Sequence, residues 1–116
     1  MTRESIIDQA YADEIPLSEA REAVFDTLED LDKGIVRVAE KIDDVWTVNE
    51  WVKRAIPLYF RLSGMTTMSV GPLEYHDKIP TKTGLAKAGV RVVPPGTIRY
   101  GAYCDPGVIV MTGFVN

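Results

Sequence analysis

Three kinds of side chain in this sequence could carry chemistry: a lone histidine, a lone cysteine and an acid-free run of bases. His76 could move a proton or hold a ligand. No second metal ligand stands at a useful spacing from it, so a structural role is the better reading. Cys104 could act as a nucleophile if it were an accessible thiolate. As the only cysteine it excludes an intramolecular disulfide and any multi-cysteine zinc site. From Lys78 to Cys104 stand five bases, Lys78, Lys82, Lys87, Arg91 and Arg99, and no acid. That stretch could present a local positive field to an anionic ligand. Charge runs are more often solvated surface, and composition alone favours that reading.

The rest of the charge points the other way. Residues 1–30 hold nine acids against two bases, and the 116-residue chain carries a net charge of −4. This makes the chain a poor candidate for a sequence-independent nucleic-acid binder, which needs a basic surface. Hydrophobic residues make up 46% and charged residues 26%, enough to bury a core without disulfides or a metal. No apolar run is long enough to span a membrane. The start, MTRESIIDQAYADE, is too acidic and polar for a signal or transit peptide, so a cytoplasmic protein is expected.

The positioning elements follow from periodicity. Residues 3–12 read as a short helix. A second helix carries Leu17, Ala20, Val24, Leu28 and Leu31 at steps of three and four, with Ser18 as its N-cap and Gly34 as its stop. The period then changes to two around Asp43-Asp44, which predicts a hairpin ending at Val48. Asn49 can cap a third helix bearing Trp51, Val52, Ala55 and Tyr59. Pro57 lies inside that pattern and predicts a kink or an early end. Trp46 and Trp51 are expected in the core. Residues 63–89 read as a connector, with a short strand at Thr66–Val70 and a helical turn at Leu85–Ala88 ending at Gly89.

From Val92 the chain counts in sixes: VVPPGT, IRYGAY, CDPGVI, VMTGFV, then Asn116. An aliphatic first position and a small fifth position are the signature of a left-handed parallel β-helix, in which three hexads close one coil. Phe114 stands where a small residue is usual. The expected fold is thus an α+β N-terminal domain over 1–90, helices plus a short hairpin, and the first coil of a hexapeptide-repeat β-helix over 91–116. Cys104 occupies an inward hexad position, where burial makes it inert. One coil cannot cover its own stacking edges, so the chain reads as truncated, the front of a longer protein, or else as one that needs a partner to cap the coil.

Three blocks carry a resemblance. RVAEKIDDVWTVNEWVKRAI, residues 37–56, matches an R-V-A-E-K-I-D block followed by a tryptophan and an N-x-W-x-K-(K/R)-A helix. EYHDKIPTKT, residues 74–83, matches an aromatic-D-K-x-P-x-K element. AGVRVVPPGTIRYGAYCDPGVIVMTGFVN, residues 88–116, matches a G-(F/V)-R-V-V-P-P passage that runs on to P-S-Y-V-N. In order and spacing over residues 17–116, the chain resembles the tetrahydrodipicolinate N-succinyltransferase family.

The resemblance implies an acyltransferase of lysine and diaminopimelate biosynthesis. It would move succinyl from succinyl-CoA to the amino group of 2-amino-6-oxopimelate, the opened form of tetrahydrodipicolinate. It implies a homotrimer with active sites between adjacent β-helices, with succinyl-CoA as co-substrate and no bound cofactor or metal. Arg91 matches the arginine that binds the dicarboxylate substrate. The family's M-V-D-T-W aspartate is expected beyond Asn116, so no catalytic residue is assigned and this chain alone is expected to be inactive. Pro57, and T-G-F-V-N in place of P-S-Y-V-N, depart from the pattern. The other readings are a free-standing binding or assembly module derived from such an enzyme, and a hexapeptide acyltransferase with a different amine acceptor.

Overall fold

A computed structural model describes residues 1–116, and its class is α+β. Helix α1 (Arg3–Tyr11) starts at Thr2, whose hydroxyl accepts from the Ser5 N–H at 3.1 Å. Helix α2 (Arg21–Asp32) is entered through a tight 3-10 turn at Leu17–Ala20. Ser18 therefore sits inside that turn and does not cap α2. The 3-10 turn leaves fewer free N–H groups for a side chain to satisfy. Helix α3 (Glu50–Leu62) lies against both others. Ile7 and Ala10 of α1, Val24 and Leu28 of α2, and Val52 and Leu58 of α3 are buried together. The stripe read from α2 is thus the wall of a three-helix core. Arg54 with Asp8 at 2.8 Å and Arg3 with Asp30 at 2.6 Å pin the helices at its rim.

Pro57 does not end α3 early, since the helix continues past it to Leu62. Pro57 and Lys53 are both exposed. The Lys53 carbonyl that loses its helical partner therefore meets water, and the ring stays off the packed face. Pro57→Ala should restore that hydrogen bond and raise stability by about 2 kcal/mol, after allowing for the freer unfolded chain. Thermal unfolding would show it as a rise in Tm.

Two antiparallel hairpins project from this core. β1 (Ala39–Ile42) pairs with β2 (Val45–Val48), with Lys41 opposite Trp46. Trp46 is 71% exposed, contrary to its expected core position. Alternation puts Ala39, Lys41, Trp46 and Val48 on one face of a two-stranded ribbon, and no element covers that face. Trp51, on α3, does pack against the helical core. Asn49 stands at the N-cap of α3, but its amide donates to the Arg37 carbonyl at 2.8 Å, tying the hairpin's base. The second hairpin pairs β3 (Thr66–Val70) with β4 (Leu73–Asp77) about Gly71-Pro72. The strand at 66–70 matches the expectation, and its partner lies in what the sequence presents as connector.

After helix α4 (Leu85–Ala88) come four short strands, β5 (Arg91–Val92), β6 (Thr97–Ile98), β7 (Ile109–Val110) and β8 (Phe114–Val115). β5 pairs in parallel with β7, and β6 with β8. Arg91 faces Ile109, eighteen residues on, and Thr97 faces Phe114, seventeen residues on. Val90, Ile98 and Cys104 are buried in a second, smaller cluster, against which Val92 and Val110 pack. The segment is tied to the rest of the chain. Tyr100 N–H donates to Pro80 O at 3.0 Å, and Lys82 N–H to Ile98 O at 2.8 Å.

Gly34 is the tightest point between the two parts. Its φ of +74° ends α2 in the left-handed region, as expected from sequence. A Cβ there would lie 2.8 Å from the Tyr103 ring, which also carries Arg37 at 4.8 Å. Gly34→Ala combines left-handed strain with a collision against an aromatic ring that Arg37 also contacts. It should cost about 2 kcal/mol, visible in urea unfolding.

Candidate functional site

The five bases of the acid-free stretch meet different fates. Lys82 is the most buried, with 6% of its side chain exposed. Its ammonium donates to the Asp32 carboxylate and to the Asp32 carbonyl, both at 2.7 Å. Asp32 closes α2, where the helix dipole is negative and a carboxylate needs a cation nearby. The same Asp32 oxygen accepts the Gly101 N–H at 2.9 Å. One ion pair thus joins the end of α2, the connector and the corner after β6. Nothing in the sequence pattern paired Lys82 with Asp32, fifty residues away. The lysine of the D-K-I-P-T-K element was the available signal.

Lys78 and Arg99 are engaged as well. Lys78 donates to the Phe60 carbonyl at 3.0 Å, near the C-terminus of α3. Arg99 donates to the Asp77 carboxylate at 2.9 Å and to the Asn116 side chain at 3.1 Å, with its guanidinium over the Phe60 ring. The Lys78 backbone N–H and the Arg99 guanidinium hold the Asp77 carboxyl below its ordinary pKa. The D-K-I-P-T-K element is therefore a joint, made of Asp77, Lys78, buried Ile79 and Lys82.

An apolar cleft of about 300 Å³ opens at this joint, lined by Leu28, Ile56, Tyr59, Phe60, Arg99 and Tyr100 among others. Burial pushes the Tyr100 phenol up to about 12. The one charged group of the cleft, Arg99, is already paired, and no fully buried side-chain polar atom lacks a partner. Arg91 is not among the lining residues.

Two bases remain, Lys87 and Arg91. Both are exposed, and neither makes a side-chain hydrogen bond or ion pair. Arg91 opens β5, and its backbone is fixed: its N–H donates to Val108 O at 3.0 Å. Two residues earlier, Gly89 (φ +71°) turns the chain, and its carbonyl accepts the Gly107 N–H at 2.8 Å. Arg91 is thus a free guanidinium on an immobilised strand. Such a fork can grip a carboxylate through two parallel hydrogen bonds. The positive field read from composition narrows from five bases to two.

The other candidates recede. His76 lies exposed on β4 with Nδ1 2.8 Å from the Thr67 hydroxyl, a cross-strand bond within the hairpin. Cys104 is 9% exposed, within the second cluster. No three His, Cys, Asp or Glu side chains gather in a group that could hold a metal. No helix is long and apolar enough to cross a membrane.

Residues 2–62, just over half the chain, match the family described as tetrahydrodipicolinate N-succinyltransferase N-terminal. The chain is 43% identical to the 2,3,4,5-tetrahydropyridine-2,6-dicarboxylate N-succinyltransferase of Bordetella pertussis, over 97% of this chain and 46% of that protein. The enzyme of the same name from Methylococcus capsulatus is 44% identical, over 93% of this chain and 44% of that protein. That of Cupriavidus metallidurans is 43% identical, over 97% and 46%. The chain therefore spans about half the length of these relatives. On the family match, this chain belongs to the tetrahydrodipicolinate N-succinyltransferase family.

Proposed function

We propose that this chain is the N-terminal part of a succinyl-CoA-dependent N-succinyltransferase acting on tetrahydrodipicolinate, in its opened form 2-amino-6-oxopimelate. The observation that carries the reading is Arg91, a free guanidinium on a fixed strand within a chain of this family. The acceptor is a dicarboxylate, and Arg91 holds one of its carboxylates, which orients the amine. The amine attacks the thioester carbonyl of succinyl-CoA, a tetrahedral oxyanion forms, and the CoA thiolate leaves as the amide is made. The amine's proton passes to a base, a role assigned to no residue among 1–116. Diaminopimelate and lysine synthesis is the setting.

In the same reading residues 91–116 form the first coil of a left-handed parallel β-helix, set apart from a domain over 1–90. The eighteen-residue step between Arg91 and Ile109 supports it, because three hexads make one coil. The inward burial of Ile98 and Cys104 supports it too. The complete enzyme is a cytoplasmic homotrimer with its active sites between neighbouring coils. The test is complementation of a bacterium that lacks this succinyltransferase and needs added diaminopimelate. The protein, in its complete coding frame, should restore growth without the supplement. Continued dependence, with the protein soluble and expressed, would reject the reading.

A further inference from the structure

We propose that Ile109 is an apolar shelf beside Arg91, on which the methylene chain of the acceptor lies, and that it favours a long dicarboxylate over a short one. The inference rests on the reading of Arg91 given above and deepens it.

The register carries the argument. In the parallel pair of β5 and β7, Arg91 stands opposite Ile109 and Val92 opposite Val110. Partners on neighbouring strands, about 4.8 Å apart, point to the same face, and successive residues alternate. Val92 and Val110 turn inward onto Val90, Ile98 and Cys104. Arg91 and Ile109 must therefore both turn outward. Ile109 is 56% exposed, and Arg91 is exposed.

Both strands are fixed before any ligand arrives. Arg91 N–H donates to Val108 O at 3.0 Å, and Val93 N–H to Val110 O at 2.8 Å. Pro106 backs the Gly89 turn, where a Cβ on Gly89 would meet it at 3.5 Å. The result is a cation and an aliphatic surface held side by side at strand spacing. Inorganic phosphate would use the cation alone. A molecule with a carboxylate at the end of a methylene chain uses both, and an aminopimelate skeleton has that shape. Contact with an open shelf removes only part of each methylene from water. The gain is about twofold in affinity per methylene, against about fourfold for full burial.

The experiment titrates the protein in its complete coding frame, ¹⁵N-labelled, with malonate, succinate, glutarate, adipate and pimelate, following the Arg91 amide and side-chain Nε–H signals and those of its neighbours on β5 and β7. Affinity should rise about twofold per added methylene. Ile109→Thr, which keeps a β-branched residue on the strand, should flatten that rise while the Arg91 signals still shift. Ile109→Leu should restore it, which separates an apolar shelf from a role in folding. If Ile109→Thr binds with the original slope and the shifts still depend on Arg91, the shelf is wrong and the arginine reading stands. If no dicarboxylate gives a shift that Arg91→Ala abolishes, the arginine reading fails and the shelf with it.

Discussion

Arg91→Ala is expected to raise the KM for the amino acceptor by about ten- to a hundredfold, with the KM for succinyl-CoA little changed. The range follows from the interaction lost. A charge-assisted, two-pronged contact with a carboxylate contributes about 1.5–3 kcal/mol, and 1.4 kcal/mol is a factor of ten. The guanidinium has no protein partner, so its removal leaves no orphaned charge and should not alter folding. Arg91→Lys should recover only part of the loss, because an ammonium is a point charge without the planar fork. Steady-state kinetics with each substrate varied in turn separates these effects. An acceptor KM that stays at the wild-type value would remove Arg91 from the site.

The largest stability effect is expected at Lys82. Lys82→Met should cost about 3–5 kcal/mol in urea unfolding, because it strips the partner from a mostly buried carboxylate. Asp32 would keep only the Gly101 N–H, at the negative end of α2. That loss is a large share of the roughly 5–15 kcal/mol that holds a domain of this kind together. The double variant Asp32→Leu/Lys82→Met should recover much of it, since an apolar pair leaves no charge unpaired. A cost under about 1 kcal/mol for Lys82→Met would show that water screens the pair as it does a surface salt bridge. The two predictions concern bases nine residues apart in one acid-free stretch. One serves the proposed substrate and the other serves the fold, and burial tells them apart.

The local features that the sequence expressed well were those decided within a few residues. The stripe of α2, the left-handed stop at Gly34 and the helical turn ending at Gly89 all follow from spacing and glycine freedom. So does the inward burial of Ile98 and Cys104. The features it hid were decided at a distance. Trp46 looked like core because its neighbours alternate, yet a strand's inner face exists only if something covers it. β4 falls in the segment that its breakers, Ser63-Gly64 and Gly71-Pro72, mark as connector, and in the structure its apolar residues Leu73 and Tyr75 are both exposed and join no core. Ser18 looked like a cap until the turn around it tightened into a 3-10 helix. Of the five bases, spacing could not say which were paired, because Asp32 lies fifty residues from Lys82 and Asp77 lies twenty-two from Arg99. Arg91 is singled out only by the resemblance, through the G-V-R-V-V-P-P passage, and the structure shows its side chain exposed and without a protein partner.

The most direct test is the release of CoA thiol from succinyl-CoA by the protein, in its complete coding frame, with and without 2-amino-6-oxopimelate. The account expects thiol release that requires the acceptor and, at low acceptor concentration, falls at least tenfold in Arg91→Ala. Release that ignores the acceptor, or the same rate in the Arg91→Ala protein, would contradict it.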